Sequence, residues 1–188
     1  MATYLGFVNL LGFILYIINI LLYKYTADSQ IDFLITLTSF AGGSAGIILA
    51  IILFDRKSEK DNMLSRVFVV CIFIIQIILY FIFKGEHIEK LKFSIWQIFE
   101  NNKLLLYYLG IINFITFTIF ALDKLNAVQH KYRYRIITLL SFCFAGGSIG
   151  GLLAMYIFRH KTQKDYFTIG IPLIIIMHIF VAFYFINK

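Results

Sequence analysis

Long runs of apolar residues, separated by short polar or basic stretches, form the dominant pattern along the chain. Six such runs occur, at about residues 4–23, 33–54, 67–83, 104–122, 136–158 and 168–186. Each approaches the ~20 apolar residues that a helix needs to cross the ~30 Å hydrocarbon core of a bilayer. A helix satisfies its backbone hydrogen bonds within one segment, which an isolated strand in hydrocarbon cannot do. The pattern therefore predicts an all-α, multi-pass membrane protein with six transmembrane helices.

The chain also matches itself at an offset of 104 residues. When residues 4–84 are aligned with residues 108–188, 24 of 81 positions are identical without a gap. Three predicted crossings in each copy are an odd number, so the second copy should insert upside down relative to the first. The sequence therefore predicts a 3+3 inverted-topology repeat, with three-helix domains at residues 1–84 and 104–188. Several identical pairs are not generic hydrophobes: Tyr4/Tyr108, Gly6/Gly110, Asn9/Asn113, Gly42/Gly146, Gly43/Gly147, Ser44/Ser148, Gly46/Gly150, Lys57/Lys161, Lys60/Lys164 and Asp61/Asp165.

Residues 85–103 join the two copies. Ile88, Leu91, Ile95, Ile98 and Phe99 recur there at helical spacing, with Glu and Lys between them. This pattern predicts an amphipathic helix that lies in the membrane interface. Such a helix would serve either as a spacer between the copies or as a surface that binds a partner.

Composition agrees with the membrane prediction, and charge adds an orientation. Apolar residues make up 61% of the 188 residues and charged residues 14%, whereas soluble domains have about 45–50% and about 25%. The net charge is +7, and Lys and Arg lie mostly between the runs, where they suit anionic headgroups. No basic tract or aromatic–basic pattern indicates nucleic-acid binding. With six crossings, nine Lys and Arg fall on the N-terminal face and eight on the other, so the positive-inside rule places both termini in the cytoplasm by one residue.

Signatures of catalysis, metal binding or cofactor binding are absent from the sequence. Cys71 and Cys143 lie inside apolar runs as small hydrophobes, without a CxxC pattern. No HExxH motif, carboxylate pair or nucleophile–base spacing occurs. We therefore expect no metal and no cofactor. The remaining enzymatic alternative is a membrane-embedded transferase that acts on a lipid, with Arg159, His160 and Lys161 holding a phosphate.

Small and polar residues near the centres of the runs are the first candidate set. Glycines four residues apart let helix backbones approach closely, or they flex two helices that line a path at the midplane. An amide in hydrocarbon needs a partner, either on a neighbouring helix or along a polar path. Gln76 and His178 have no match in the other copy, so a shared role is not expected for them. The candidates for a substrate path are Asn9, Gly42, Gly43, Ser44, Asn113, Gly146, Gly147 and Ser148.

Charged residues at the ends of the runs are the second candidate set. A crossing at residues 136–158, at ~1.5 Å per residue, would hold Asp123 and Lys161 roughly 30 Å apart on opposite faces. These ends could form one site only if that run were re-entrant. Such charges either reach lipid phosphates or form an anion-attracting vestibule at each mouth of a path. The candidates are Arg56, Lys57, Asp123, Lys124, Arg133, Arg159, His160 and Lys161.

Ordered motifs in the second copy carry a family resemblance. They are DKLNA at residues 123–127, Arg133, GGSIG at 146–150, Met155, FRHKTQKDYF at 158–167 and the following GIPL. In this combination, about residues 108–186 resemble a bacterial membrane family known as domain of unknown function 1294. The family pattern implies a Glu near position 136, where this chain has Ile136. The first copy is similar but decayed, with Asn19 in place of the Asp of DK and Asp55 in place of the Arg of RHK.

The resemblance implies a bacterial or archaeal membrane protein and brings no activity, so function follows from the architecture. The inverted repeat with matched glycines favours a small transporter or channel for an ion or a small anionic solute. The alternative is a non-transporting membrane subunit of a sensing, immunity or stress system that acts through a protein partner. The expected partners are the bilayer with its anionic headgroups and either a second copy of the chain or another protein.

Overall fold

A computed structural model describes residues 2–26, 31–55, 63–84 and 103–186 of the chain. All regular structure in these ranges is helical. The helices are α1 (Ala2–Thr26), α2 (Asp32–Thr38), α3 (Ser44–Phe54), α4 (Met63–Lys84), α5 (Lys103–Val128), α6 (Ile136–Phe142), α7 (Ser148–Ile157), α8 (Asp165–Thr168) and α9 (Gly170–Ile186).

Six helical segments in these ranges are long and apolar enough to cross a membrane: α1, α2–α3, α4, α5, α6–α7 and α8–α9. The structure is thus an all-helical protein of multi-pass membrane type, in agreement with the sequence prediction. The chain divides into two compact units, Met1–Leu79 and Tyr80–Lys188. The predicted domain bounds and the amphipathic linker stay predictions, because residues 85–102 lie outside the described ranges.

Two of the six segments are broken at a glycine. A π-helical turn at Ser39–Gly43 joins α2 to α3, and Gly42 within it has a φ of 106°. A π-helical turn at Cys143–Gly147 joins α6 to α7, and Gly146 has a φ of 111°. Positive φ is readily available to glycine and strained for residues with a side chain. The conserved spacing of the doubled glycines therefore marks two backbone breaks in the middle of apolar segments.

The α6–α7 segment folds back on itself, because its two ends meet at one carboxylate. The Tyr134 amide, which precedes α6, donates to Asp123 Oδ1 at 2.9 Å, and His160 Nε2, which follows α7, lies 2.8 Å from Asp123 Oδ2. The 22 residues from Ile136 to Ile157 would span about 33 Å as a straight helix at about 1.5 Å per residue. The segment is therefore a re-entrant hairpin, which we call the second hairpin (Ile136–Ile157).

The α2–α3 segment folds back in the same way in the first unit. Ser65 Oγ donates to Asp32 Oδ1 at 3.2 Å at the start of α2. The next residue, Arg66, donates to the Asp55 carbonyl at 2.8 Å just after α3. Both ends of the segment thus contact adjacent residues of α4, although 23 residues in a straight helix would span about 34 Å. We call this segment the first hairpin (Asp32–Phe54).

The hairpins correct one step of the sequence reasoning. The runs at 33–54 and 136–158 have the length and composition expected, but the prediction that each crosses the bilayer once as a straight helix is wrong. Run length does not distinguish one helix of about 33 Å from two arms of about half that length. Because one segment of each copy folds back, the premise that each copy crosses the bilayer an odd number of times no longer holds. The inverted topology therefore no longer follows from the repeat.

Apolar side chains from both arms of the first hairpin meet α1 and α4 in a core. Its fully buried members are Tyr16, Ile35, Ile47, Ala50 and Val69. In the second unit, the buried rings of α5 and α8 pack edge to face, with 5.6 Å between ring centroids. Lipid is as apolar as these side chains, so hydrophobic transfer alone does not hold the arms in place. Close packing and hydrogen bonds must supply the specificity, and both concentrate at the hairpin turn and base.

Candidate functional site

An asparagine from the preceding helix binds the turn of the second hairpin. Asn113 Oδ1 on α5 accepts from the Gly150 amide at 2.7 Å, and Asn113 Nδ2 donates to the Gly146 carbonyl at 3.0 Å. Gly150 is the third residue of α7, where a helix leaves its amides without intrahelical acceptors. Asn113 therefore caps the N-terminus of α7 from a neighbouring helix. Normally a side chain at the helix's own N-cap position does this.

Two further side chains complete the second turn. The Tyr108 hydroxyl donates to the Ala145 carbonyl at 2.6 Å. His178 Nε2 lies 3.0 Å from the Phe144 carbonyl, and Nδ1 lies 3.4 Å from Ser148 Oγ. Because a carbonyl only accepts, Nε2 carries the proton and Nδ1 is left to accept from the serine hydroxyl. Side chains of α5 and α9 thus pair three carbonyls of the turn and the Gly150 amide of α7.

The first hairpin turn has an asparagine and a tyrosine contact at the same positions of its unit. Asn9 Oδ1 accepts from the Gly46 amide at 2.8 Å. The Tyr4 hydroxyl donates to the Ala41 carbonyl at 3.1 Å. These residues lie 104 positions before their counterparts in the second unit, so identical residues make corresponding contacts with the Gly46 and Gly150 amides and with the Ala41 and Ala145 carbonyls.

Gln76 and His178 also share a role, although none was expected. Ser44 Oγ donates to Gln76 Oε1 at 2.6 Å, and Gln76 Nε2 donates to the Ser39 carbonyl at 2.7 Å. A glutamine amide and a neutral histidine ring each present one acceptor and at least one donor. The two side chains therefore bridge a serine hydroxyl and a turn carbonyl in the same manner. The alignment could not show this, because the two residues differ in type and are 102 rather than 104 positions apart.

Glycines in α3 and α7 mark the places where a neighbouring helix lies closest. A Cβ atom on Gly46 would overlap the backbone carbonyl of Asn9, and a Cβ atom on Gly150 would overlap that of Asn113. Such close approach of backbones is what small residues permit between helices in lipid. The helix that supplies the capping amide can therefore reach the turn because the glycine leaves room for it.

Gly43 and Gly147 are crowded in the same way. A Cβ atom on Gly43 would lie 2.8 Å from the Val8 carbonyl oxygen, and one on Gly147 would overlap the Thr116 hydroxyl. These contacts fit the close-packing interpretation of the glycine pairs. The interpretation that the same residues line a solute path stays a prediction.

Charged residues from three chain segments meet at the base of the second hairpin. The Asp123 carboxylate on α5 is fully buried. It accepts from the Tyr134 amide and from Lys161 Nζ, at 2.9 and 2.6 Å, and Oδ2 also lies 2.8 Å from His160 Nε2. We call Asp123, Arg133, Arg159, His160 and Lys161 the base cluster. Its carboxylate ties the end of α5 to the segments before α6 and after α7.

The base cluster overturns a second expectation. Asp123 and the Arg159–Lys161 motif were expected roughly 30 Å apart on opposite faces, whereas the structure brings them into direct contact. The exception considered from the sequence, a re-entrant run at 136–158, is the arrangement that the structure shows. Lys124, the neighbour of Asp123, is half-buried on α5.

The turn after α7 has an unusual backbone. Arg159 has a φ of 44° and Lys161 a φ of 61°, in the left-handed region that costs roughly 1–2 kcal/mol for a residue with a side chain. Between them, the His160 amide donates to the Met155 carbonyl at 3.0 Å. Backbone in this region persists when surrounding contacts determine it, and it is frequent at functional sites. Here the contacts with Asp123 supply that constraint.

The electrostatics of the base cluster favour negative partners. Burial lowers the pKa of Lys161 below that of ordinary lysine, and the nearby charge of Arg133 lowers it further, while Asp123 opposes both effects. Arg133 and Arg159 are exposed. The cluster therefore contains one buried carboxylate, one ammonium group, one imidazole and two guanidinium groups, so it carries an excess of positive charge.

The base of the first hairpin has different chemistry. Asp55 Oδ2 accepts from the Tyr16 hydroxyl at 2.8 Å and forms an ion pair with Arg66. Asn19 Nδ2 donates to Asp32 Oδ1 at 3.3 Å. These described residues hold two carboxylates and one guanidinium group, whereas cationic groups are in excess in the base cluster. Of the predicted residues for this base, Arg56 and Lys57 lie outside the described residues.

Sequence reasoning did not select the polar residues at the first base. A signal existed for two of them at the offset of 104, where Asn19 aligns with Asp123 and Asp55 aligns with Arg159, so that both copies are polar although the residues differ. The other four align with apolar residues or glycine and carry no such signal. The missed residues are Tyr16, Asn19, Asp32, Asp55, Ser65 and Arg66.

Comparison with known proteins finds a family and a relative that match part of this chain. A family model described as "Protein of unknown function (DUF1294)" matches residues 113–167. The uncharacterised protein YsdA of Bacillus subtilis (strain 168) is 37% identical over 79 residues, which are 42% of this chain and 89% of the relative. No solved structure matches the chain. The range matched by the family model includes Asn113, the second hairpin and the whole base cluster.

Proposed function

The chain belongs to the DUF1294 family of proteins of unknown function, and we propose that this member transports or conducts a small anion across the cell membrane. The hairpin of each unit is the element that reaches into the bilayer, and the base cluster forms a mouth that attracts the anion. The predicted bilayer contacts, self-association and protein partner stay predictions.

The re-entrant hairpin is the observation that carries the proposal. Backbone that leaves the helical conformation at membrane depth is tolerated only where it is buried in protein or lines a water-filled cavity. Broken helices of this kind occur in transporters, where helix N-termini point at anionic groups. In the second unit, α7 begins directly after the break at Gly146, so the positive end of its helix dipole lies at the turn.

The depth of the turn supports a role inside the bilayer. Asn113, which binds the turn, lies ten residues before Asp123, which binds the base, on the same helix. At about 1.5 Å per residue, ten residues correspond to about 15 Å along α5. The turn therefore reaches about half of the ~30 Å hydrocarbon core.

Positive charge at the base supports an anion as the transported species. A cleft lined by one sign of charge raises the local concentration of the opposite ion and speeds its entry. At the base cluster, the exposed guanidinium groups of Arg133 and Arg159 stand outside a carboxylate that is fully buried. A cation would meet two positive groups before it met the negative one.

We also propose that the two units are copies of one hairpin module. Asn9 and Asn113 make the same contact with an α-helix amide 104 positions apart, and the turn glycines have φ values of 106° and 111°. A relative of which 89% is covered by 79 aligned residues has about the length of one copy. The inverted arrangement of the copies is not part of this proposal.

Flux measurements on reconstituted protein test the proposed function. Purified protein in liposomes should release chloride, nitrate, phosphate or acetate faster than protein-free liposomes do. Gly146→Ala should slow this release because the added Cβ strains the left-handed turn. Gly110→Ala is the matched control, since a Cβ there meets nothing within 4 Å.

The absence of release for all four anions, from protein whose helical circular dichroism is intact, would contradict the proposal. A partner protein that co-purifies with such inactive protein would instead favour the non-transporting membrane subunit. Equal slowing by Gly146→Ala and Gly110→Ala would show that the observed flux does not depend on the hairpin turn.

A further inference from the structure

The one carboxylate of the base cluster is buried, whereas both of its arginines are exposed. The Asp123 carboxylate is fully buried, and the Tyr134 amide, the Lys161 ammonium group and the His160 ring all lie within 2.9 Å of its oxygens. Both carboxylate oxygens are therefore engaged from inside the protein. A ligand at the base cluster therefore meets no carboxylate oxygen of Asp123 that lacks a donor.

Two exposed arginines flank the half-buried lysine of this cluster. Arg159 is exposed and stands two residues before Lys161 in the left-handed turn. Arg133 is exposed and precedes Tyr134, whose amide binds the same carboxylate as Lys161. The charge of Arg133 thus acts on Lys161 across 28 positions of the sequence, and Arg159 lies two residues before that lysine in the same turn.

We infer that Arg133, Arg159 and Lys161 form a binding site for a phosphate group, carried either by a soluble ion or by a lipid headgroup. Guanidinium groups bind phosphate through paired hydrogen bonds, and an ammonium group adds a further donor. The inference rests on the proposed function for the role of the site as a mouth, but binding can be measured without flux.

Charge matching favours phosphate over a singly charged anion. Asp123 and Lys161 form a direct ion pair, so their charges offset each other. Two guanidinium charges then remain for the ligand. A phosphate monoester carries about −1.5 to −2 at neutral pH, which matches two guanidinium groups, whereas chloride or acetate would leave one of them without a counter-charge.

Asp123 acts here as a positioning residue. It touches neither solvent nor ligand, but it holds Lys161 and the strained turn in place. Its removal would affect both the fold and the site, so it is unsuitable for a clean binding test. The exposed arginines are better positions for this test, because their substitution leaves the buried contacts of Asp123 in place.

The test compares Arg133→Gln and Arg159→Gln with Arg135→Gln, a control arginine that is also exposed and lies in the same loop. Full-length protein in uncharged maltoside micelles is titrated with inorganic phosphate by calorimetry. In a second arm, native mass spectrometry measures retention of phosphatidic acid against phosphatidylcholine. A lost charge-assisted hydrogen bond of about 1.5–3 kcal/mol corresponds to binding weaker by about tenfold or more.

We expect both test variants to bind about tenfold more weakly and the control to bind as the wild type does, with unchanged unfolding temperatures. Weakening in the calorimetric arm identifies a soluble phosphate, and weakening only in the lipid arm identifies a headgroup. Binding in neither arm overturns the inference. Equal weakening by Arg135→Gln also overturns it, because the attraction would then come from a diffuse positive surface.

The two proposals fail in different ways. Chloride or nitrate flux without phosphate binding in either arm would leave the transport proposal standing and remove the phosphate site. Phosphate binding without any flux would keep the site and remove transport.

Discussion

At the residue scale, Asp123 shows how burial changes the meaning of a charged side chain. In the sequence it stands at the end of an apolar run, where a charge normally faces headgroups. In the structure it is fully buried and holds His160 and Lys161 at the base of a hairpin. A buried carboxylate of this kind binds cations of its own chain, so its first role is to determine the shape of the turn after α7.

Asp123→Asn should destabilise the protein, because Lys161 would lose its partner while it remains largely buried. Breaking a buried ion pair from one side costs about 3 kcal/mol. Thermal unfolding in detergent measures the change, with Asp165→Asn as the control at an exposed carboxylate. Equal unfolding temperatures for the two variants would show that the Asp123 contact contributes no stability.

His178 offers a second test at this scale, because Gln76 performs the same task in the other unit. His178→Gln should be tolerated, since glutamine offers both a donor and an acceptor. His178→Leu should cost about 1–3 kcal/mol, because the Phe144 carbonyl and the Ser148 hydroxyl lose a partner. Unfolding temperatures of the two variants check the difference. Equal losses would mean that ring packing, rather than hydrogen bonding, is what His178 supplies.

The two copies also keep their carboxylates at complementary positions. Asn19 aligns with Asp123, and Asp32 aligns with Ile136, where the family resemblance implies a Glu. In the first unit Asp32 lies at the hairpin base beside Asn19. Each hairpin base therefore has an acidic residue at one of two aligned positions and a neutral residue at the other.

At the element scale, each hairpin depends on close contact between its returning arm and the helix before it. The Gly150 amide on α7 reaches Asn113 Oδ1 because the α5 backbone lies against the glycine. The cap and the glycine are thus two requirements of one contact. This is why the pair Asn113 and Gly150 recurs as Asn9 and Gly46.

Gly150→Ala should therefore be harmful, since its Cβ would overlap the Asn113 backbone carbonyl. Overpacking of this kind costs about 1–3 kcal/mol, and the capping hydrogen bond would lengthen as well. Gly110→Ala on the open face of α5 should be neutral or stabilising, because alanine favours helix by up to about 1 kcal/mol over glycine. Unfolding temperatures of the two variants measure this. An equal response would show that α5 and α7 can separate without loss.

At the scale of the whole molecule, the hairpins change how the chain is expected to insert. In the second unit by itself, α5 runs from Lys103 to the hairpin base, so Lys103 lies at the opposite end from the base cluster. The basic residues at the base end are Lys124, Lys131, Arg133, Arg135, Arg159, Lys161 and Lys164. The positive-inside rule then predicts a cytoplasmic hairpin base. The prediction that both termini are cytoplasmic depended on six straight crossings and a difference of one residue.

Cysteine labelling in intact cells tests both the hairpin and its orientation. Gln129 and Gln163 are exposed on either side of the second hairpin, so Gln129→Cys and Gln163→Cys should both resist an impermeant maleimide and both react after permeabilisation. The native Cys71 and Cys143 are buried and provide the background. Labelling of only one position in intact cells would show a straight crossing at residues 136–157 and contradict the hairpin.

Much of the fold could be predicted from the residues alone. Apolar runs of about 20 residues predicted helices, and the offset of 104 predicted that Asn9 and Asn113 would act alike, as they do at the two turns. The candidate site was predicted as a set of residues but not as an arrangement. Arg159, His160 and Lys161 were selected, but the contact of His160 and Lys161 with Asp123 was expected only if the run at 136–158 were re-entrant.

The sequence by itself determined which segments are long and apolar enough to enter a bilayer, because the free energy of transfer into hydrocarbon depends on composition and hardly on the direction of the chain. Only the tertiary structure decided that two of these segments turn back. Each turn depends on the positive φ of its glycine, Gly42 or Gly146. It depends also on the asparagine and carboxylate contacts that hold each turn and base. Such contacts join residues far apart in the chain, so no local pattern of hydrophobicity records them.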